Sequence, residues 1–160
     1  MAPLRVSPYV AAMKIAIAAD QGGFALKQDL VRWLGEQGHE VDDLGTDSID
    51  SVDYPDYGYK LAEGIAAGRF ERGIALCGSG IGISIAVNRV PAARCALVSE
   101  PVSARLARQH NDANVLALAG RLIGGDMARE CIEVFLTTPF SGGRHERRVE
   151  KLTNFPQGVS

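Results

Sequence analysis

The chain has 160 residues, of which 46% are apolar and 22% are charged, and its formal net charge is −2. This composition is typical of a globular domain, and the small net charge argues against broad electrostatic binding to nucleic acid. No apolar run approaches the ~20 residues that a membrane-spanning helix needs. We therefore expect one soluble domain, because domains commonly contain about 100–150 residues.

The cysteines indicate the cell compartment of this domain, and the N-terminal residues indicate where the domain begins. The three cysteines, Cys77, Cys95 and Cys131, form no CxxC pair. The pattern therefore predicts neither a disulfide framework nor a zinc site, and it favours a reducing cytoplasm. Structural roles are expected for Cys95 and Cys131. Residues 1–12 lack the layout of a signal peptide, and we expect them to form a flexible extension of a domain spanning residues 13–155.

Short apolar runs alternate with segments of helical periodicity along this domain. Strands are predicted at residues 14–19, 40–44, 73–77, 94–98 and 115–118. Helices are predicted after Phe24, Tyr54 and Gly80, at residues 101–110 and 125–136, and as a charged terminal segment at 142–152. This alternation indicates a Rossmann-like three-layer α/β/α sandwich with a five-stranded parallel sheet.

Two expectations concern individual side chains. In the predicted helix at residues 101–110, the periodicity places Val102, Leu106 and Ala107 toward the core. His39 stands alone between a helix and a strand, and isolated histidines are most often partly exposed, so we expect it at the surface.

The third strand runs into a glycine-rich loop, Cys77-Gly78-Ser79-Gly80-Ile81-Gly82. In open α/β sheets ligands bind at the carboxyl ends of strands, where helix N-termini offer N–H groups to anions. The dinucleotide fingerprint GxGxxG fails here, because its third glycine would fall at Ile83. The loop instead favours an oxyanion site with a reactive thiol at Cys77, although most free cysteines are simply small buried side chains.

Polar residues at the ends of other elements are further candidates. Asp20 follows the first strand, and His110 and Asn111 end a predicted helix, where an imidazole can exchange protons with a ligand. Arg144 and Arg148 are four residues apart, so on a helix they share a face that suits a phosphate group. A solvated basic helix face is the alternative interpretation of this pair.

Together these motifs resemble the ribose-5-phosphate isomerase B family, which belongs to a group of sugar-phosphate isomerases that includes galactose-6-phosphate isomerase. The matching pieces follow the family order over about residues 13–155, and they are Ala19-Asp20 with Gly22-Gly23, Asp53-Tyr54-Pro55, the cysteine-glycine loop, Arg108-Gln109-His110-Asn111-Asp112, Gly120-Arg121, and Gly143-Arg144-His145 with Arg148.

The resemblance implies a cofactor-free and metal-free interconversion of ribose 5-phosphate and ribulose 5-phosphate, a step of the pentose phosphate pathway. By match, Cys77 would move a proton between C1 and C2, Ser79 would assist transfer among the oxygens, and His110 with Asp20 would open the furanose ring. Some family members use a glutamate at the position of Ile83 as the base, which leaves Cys77 for that role here. The matched binding residues are Gln21, Tyr54, Gly78, Gly80, Ile81, Gly82 and Asn111 around the sugar and the enediolate, and Arg121, Arg144 and Arg148 for the phosphate.

The chain departs from the family pattern at Gln21, where the family usually has histidine. Glutamine can still donate a hydrogen bond, but it carries no charge, so the identity of the sugar stays open. Isomerisation of a hexose 6-phosphate or tetrose phosphate is one alternative, and a non-catalytic sugar-phosphate-binding protein is another. The resemblance further implies a homodimer, or a tetramer made of two such dimers, with active sites at the subunit interface and with no membrane or nucleic-acid partner.

Overall fold

The computed structural model describes residues 11–156, and the first ten residues of the predicted extension lie outside the described part. Strands and helices alternate from Lys14 onward, as the sequence predicts. They are β1 (Lys14–Ala19), α1 (Phe24–Glu36), β2 (Glu40–Asp43), α2 (Tyr54–Ala66), β3 (Arg72–Cys77), α3 (Ile81–Val87), β4 (Cys95–Leu97), α4 (Pro101–Asn111), β5 (Val115–Ala119), α5 (Gly125–Thr137) and α6 (Arg144–Thr153). Within residues 11–156 every helix is too short or too polar to span a bilayer.

The five strands form one sheet in the order β2-β1-β3-β5-β4, and every neighbouring pair is parallel. This arrangement confirms the predicted Rossmann-like fold. The three central strands, β1, β3 and β5, are buried along almost their whole length. Their carboxyl ends lie side by side, so the loops that follow Ala19, Cys77 and Ala119 meet at one edge of the sheet.

Helices cover both faces of the sheet. On one face, α1, α4 and α5 pack against the larger strand residues, including Ile17, Leu76 and Leu118. On the other face, α2 and α3 pack against small residues such as Ala18 and Ala75. A Cβ atom built on Gly73 would lie 2.9 Å from Leu61 Cδ1, so this face admits α2 only because its strands carry small side chains.

Four predictions about side-chain burial can be compared with the structure, and one of them is confirmed. Ala107 is buried as expected, but Val102 is 55% exposed and Leu106 is 36% exposed, so their predicted inward placement is wrong. Helix α4 instead buries Ala104, Ala107 and Arg108. On this face the Arg108 guanidinium donates to the carbonyls of Thr138 and Ala113. The surface placement of His39 is also wrong, since its ring is buried and its Nδ1 accepts the Met13 N–H at 3.1 Å.

Candidate active site

The Cys77 thiol lies at the point where β3 enters the glycine loop. Its side chain is only 4% exposed, and the Gly80 N–H donates to its sulfur at 3.1 Å. Gly80 has a φ of 75°, a left-handed conformation that turns the chain back over the sulfur before α3 begins. The Ile81 N–H donates to Ser79 Oγ at 3.2 Å. The loop backbone therefore holds both candidate reacting side chains in place.

Backbone contacts between three glycine-containing loops assemble this part of the site. A Cβ atom on Gly22 would lie 2.7 Å from the Gly78 nitrogen, and one on Gly120 would lie 2.7 Å from the Gly22 oxygen. The Gly120 N–H donates to the Cys77 carbonyl at 2.9 Å. The loops after β1, β3 and β5 therefore touch backbone to backbone, which brings Asp20 and Arg121 to the Cys77 loop.

An open cavity of about 400 Å³ lies over this junction. Seven of the predicted site residues line it together with Leu122: Asp20, Tyr54, Cys77, Gly78, Ser79, Gly82 and Arg121. Sequence analysis missed Leu122, which is exposed and directly follows the matched arginine, and that adjacency was the available clue. The cavity combines a thiol, a carboxylate and a guanidinium, the groups that proton transfer on an anionic substrate requires.

The walls of the cavity are held by specific contacts. Asp20 is 7% exposed, and its Oδ1 accepts the Gly22 N–H at 2.9 Å, so the carboxylate is fixed beside the loop. The Tyr54 ring lies against Gly82, where an added Cβ would come within 2.6 Å of the ring. The Arg121 side chain passes over Gly78, with its Nη1 3.3 Å from a Cβ built there. Glycine at position 78 thus makes room for a guanidinium, and glycine at position 82 makes room for an aromatic ring.

Three predicted binding residues lie next to the cavity rather than on its wall. Gly80 and Ile81 donate their N–H groups within the loop, to Cys77 and Ser79 respectively. Gln21 uses its Oε1 to accept the Val52 N–H at 3.0 Å, and this bond ties the segment that leads into Tyr54 to the loop after β1. The amide nitrogen of Gln21 is the group that this bond leaves for a ligand.

The other predicted site residues gather at the opposite edge of the sheet. Helix α4 starts after β4 and returns along the sheet to end at Asn111, just before β5 begins at Val115. His110 and Asn111 therefore lie at the amino edge, and β5, with five residues, separates the two edges by roughly 16 Å. A single copy of the chain does not bring His110 to Cys77.

The arginine helix belongs to this second group. The rings of His110 and His145 stack with centroids 4.4 Å apart and an interplanar angle of 13°. Arg144 and Arg148 are the first and fifth residues of α6, and their predicted common face is consistent with this helix. Partial burial lowers the pKa of His145, and the positive charges of His110, Arg144 and Arg148 lower it further. The amino-edge group is thus rich in basic side chains.

The remaining cysteines do not share the setting of Cys77. Cys131 is fully buried in α5, and burial raises its pKa to about 11. Burial also raises the pKa of Cys95, at the start of β4, to about 12. Both thiols are therefore neutral near physiological pH, in agreement with the structural roles predicted for them. Within residues 11–156, no cluster of three or more His, Cys, Asp or Glu residues is placed to hold a metal ion.

The family model described as Ribose/Galactose Isomerase matches residues 15–152. Ribose-5-phosphate isomerase B of Escherichia coli is 45% identical over 144 residues, which cover 90% of this chain and 97% of that protein. D-erythrulose-4-phosphate isomerase of Pectobacterium atrosepticum is 40% identical over 88% of this chain and 93% of its own length. The crystal structure of a ribose 5-phosphate isomerase from Thermotoga maritima superposes with a TM-score of 0.88 at 50% identity, over 89% of this chain and 99% of that one.

Proposed function

Because this chain belongs to the ribose/galactose isomerase family and is an aldose–ketose isomerase of sugar phosphates, we propose that it interconverts D-ribose 5-phosphate and D-ribulose 5-phosphate. The observation that carries the proposal is the cavity that places the Cys77 sulfur beside Asp20 and Arg121. A thiolate there reaches an open-chain sugar, and the arginine offers a charge for its phosphate. This arrangement supports proton transfer without a cofactor.

The proposed chemistry moves one proton between neighbouring carbons. Cys77 as thiolate removes the proton from C2 of the open-chain aldose, and the electron pair forms an enediolate whose negative charge rests on oxygen. The thiol then returns the proton to C1, while Ser79 moves a proton between the two oxygens. Since Gly80 and Ile81 use their N–H groups inside the loop, those of Gly78, Ser79 and Gly82 are the ones we assign to the enediolate oxygen.

The position of His110 means that the proposed active site needs a second copy of the chain. His110 and Asn111 lie at the edge of the sheet opposite Cys77, so ring opening by His110 requires the histidine of another subunit. Exposed apolar side chains give such a subunit a place to dock, and one of them adjoins the glycine loop, since Leu97 Cδ1 lies 2.6 Å from a Cβ built on Gly80. These side chains are Ile81 and Ile85 on α3, Leu97 on the edge strand β4, and Val102 and Leu106 on α4.

A symmetric dimer that buries these apolar side chains would join the two groups of site residues. The half-site around Cys77 supplies the base, the oxyanion donors and Arg121. The amino-edge group of a second copy supplies His110, Asn111, Arg144 and Arg148. Both groups occur on every chain, so a two-fold axis completes two sites at once. The three arginines would then close on the terminal phosphate of the sugar.

A panel of sugar phosphates tests the proposed substrate. The purified full-length chain is incubated with ribose 5-phosphate, ribulose 5-phosphate, and aldose and ketose phosphates of four and six carbons, and product formation is followed directly. We expect the highest kcat/KM for the five-carbon pair. A higher value for a tetrose phosphate would assign the chain to that substrate, an alternative that the erythrulose-phosphate relative and the departure at Gln21 leave open. Light scattering in the same buffer tests the dimer, and a monomeric active enzyme would refute it.

A further inference from the structure

The turn after α4 has an unusual backbone conformation. Asp112 has a φ of 45°, and it is the only residue other than glycine with a positive φ in residues 11–156. Its N–H donates to the carbonyls of the last turn, Ala107 and Arg108, so Asp112 ends the helix that presents His110 and Asn111. Asparagine and aspartate are the residues that tolerate this conformation best. The conformation alone therefore accounts for either residue type, but not for the negative charge.

Two arginines account for the charge. Arg108 is 3% exposed, and its Nη1 donates to Asp112 Oδ1 at 2.8 Å. Arg94 donates from Nη2 to Asp112 Oδ2 at 3.3 Å and from Nε to the Asp112 carbonyl at 2.9 Å. The carboxylate and the carbonyl of Asp112 are thus held between two guanidinium groups, one from Arg94 just before β4 and one from Arg108 on α4.

The surroundings of this triad are positively charged. Arg72 at the start of β3 lies nearby, and its pKa is lowered by burial and then by the positive charge of Arg108. The negative charge of Asp112 acts in the opposite direction on Arg72. Asp112 therefore offsets part of the charge of three arginines at the amino edge of the sheet. Removing this charge leaves the buried Arg108 guanidinium without its ion-pair partner.

The same arginines also connect the turn to the C-terminal helix. Arg94 Nη1 donates to Thr153 Oγ1 near the end of α6 at 3.4 Å. Arg108 Nε donates to the Thr138 carbonyl at 3.1 Å, and the Ser141 N–H donates to the Gln109 carbonyl at 3.1 Å, both in the segment before α6. The His110 turn and the helix that carries Arg144 and Arg148 are therefore tied together around Asp112.

We propose that Asp112 is a positioning residue, which holds the His110–Asn111 turn in the geometry that ring opening requires, through its contacts with Arg94 and Arg108. The proposal rests on the proposed function, since it assigns a task to the residues that His110 needs around it. A rigid turn matters because a misplacement of about 1 Å in a reacting group can cost ~10²-fold in rate. In the isolated chain the amino-edge group is already formed, ready for the second copy.

The test removes the negative charge of Asp112 and leaves the backbone conformation of the turn unchanged. Asp112→Asn retains the tolerance for positive φ and a side chain of the same shape, so the lost property is the charged contact with Arg94 and Arg108. We expect kcat for the substrate preferred by the wild type to fall at least ~10-fold per folded molecule. We expect KM to change less, because Arg121, Arg144 and Arg148 remain. Asp29→Asn is the matched control, since it removes the carboxylate of an exposed pair with Arg32 (3.0 Å) on α1.

Thermal unfolding of both variants identifies the folded fraction. If Asp112→Asn is folded and its kcat lies within twofold of the wild type, the proposal is wrong. If the variant is unfolded at the assay temperature, Arg94→Lys decides, because lysine keeps the charge but cannot reach the carbonyl, the carboxylate and Thr153 together. We expect Arg94→Lys to lower kcat several-fold, and a wild-type kcat there refutes the proposal. A wild-type enzyme that converts no sugar phosphate at all would instead refute the proposed function.

Discussion

The two groups of site residues are built in different ways. The group around Cys77 is assembled by backbone contacts between three glycine-containing loops at the carboxyl edge of the sheet. The group around His110 is assembled by side-chain contacts, chiefly those of Arg94 and Arg108 with Asp112. All three histidines, His39, His110 and His145, also belong to the amino-edge side of the molecule. The carboxyl-edge half has glutamine at position 21 where its family usually has an imidazole.

This difference implies different sensitivities. A site made of touching backbones has no room for even one added carbon atom, and its backbone contacts do not depend on pH or salt. A site made of ion pairs and histidines tolerates small changes in shape, but its charges respond to pH and ionic strength. In our proposal the two groups also perform different steps. The group around Cys77, which is built from backbone contacts, transfers the proton between C2 and C1, and the group around His110 opens the sugar ring.

The largest effect is expected from Cys77→Ala. The substitution removes the proposed base and leaves the loop N–H groups and the arginines, so turnover should fall by at least ~10²–10⁴-fold while sugar phosphate still binds. Stopped-time product assays and calorimetric titration with ribose 5-phosphate measure the two quantities. Cys95→Ala is the matched control, because burial raises the pKa of that thiol to about 12, and it should retain wild-type turnover. Near-normal activity of Cys77→Ala would assign the base elsewhere.

Arg148→Ala tests the amino-edge group, which is built from side-chain contacts. A charge-assisted contact contributes about 1.5–3 kcal/mol, so its loss should raise KM for the phosphorylated sugar by ~10–100-fold. Arg32→Ala serves as the control, since Arg32 is exposed on α1 and pairs with Asp29, and neither residue belongs to either group. The wild type should also prefer ribose 5-phosphate strongly over free ribose. Equal kcat/KM values for these two sugars would remove the phosphate role of the arginines.

A pair of glycine substitutions tests the backbone-built half. Gly22→Ala places a Cβ 2.7 Å from the Gly78 nitrogen, and overpacking of this kind typically costs about 1–3 kcal/mol. We expect a lower melting temperature, by several degrees, and reduced kcat because the Cys77 loop must shift. Gly35→Ala, within α1, meets no atom within 4 Å and should raise the melting temperature slightly, since alanine favours helix by up to ~1 kcal/mol. Equal melting temperatures of the two variants would show that the loops do not touch as described.

Most of the fold could be predicted because its signals are local. The apolar runs around Ile17, Ile74 and Leu116 and the helical periodicity between them specify parallel strands that alternate with helices. The orientation of α4 could not be predicted, since Val102 and Leu106 look like core residues. Buried Arg108 decides the orientation instead, and its partners, the carbonyls of Ala113 and Thr138, are not visible in a pattern of apolar spacing.

The site could be predicted in part for a similar reason. Motifs at the ends of β1, β3 and β5 meet at one edge whenever a sheet is parallel, so grouping Asp20, Cys77 and Arg121 requires only the topology. The contacts of Asp112 and the burial of His39 depend on side chains distant in sequence.

His39 has a lowered pKa because it is buried, so its neutral form stabilises the fold above pH ~6.5, and this contribution is lost as the pH falls toward the lower native pKa.

The smallest effect is expected at Gln21, whose side chain carries no ionisable group. Its Oε1 accepts the Val52 N–H, so the side chain positions the segment before Tyr54, and its amide nitrogen is left for the ligand. Gln21→His would introduce a group that ionises near pH ~6.5 into this half. If the nitrogen faces the phosphate, the protonated imidazole should improve kcat/KM for ribose 5-phosphate by a few-fold below that pH and change it little above.

The pH profile of kcat/KM for the wild type, Gln21→His and the exposed control Gln28→His separates the possibilities. A gain confined to low pH in Gln21→His supports the contact with the phosphate, because only the charged imidazole adds a charge-assisted hydrogen bond. A loss on a tetrose or hexose phosphate, with ribose 5-phosphate still poor, indicates that glutamine serves that other sugar. Unchanged constants across the whole panel would show that position 21 does not contact the ligand, and neither version of the ligand contact would survive.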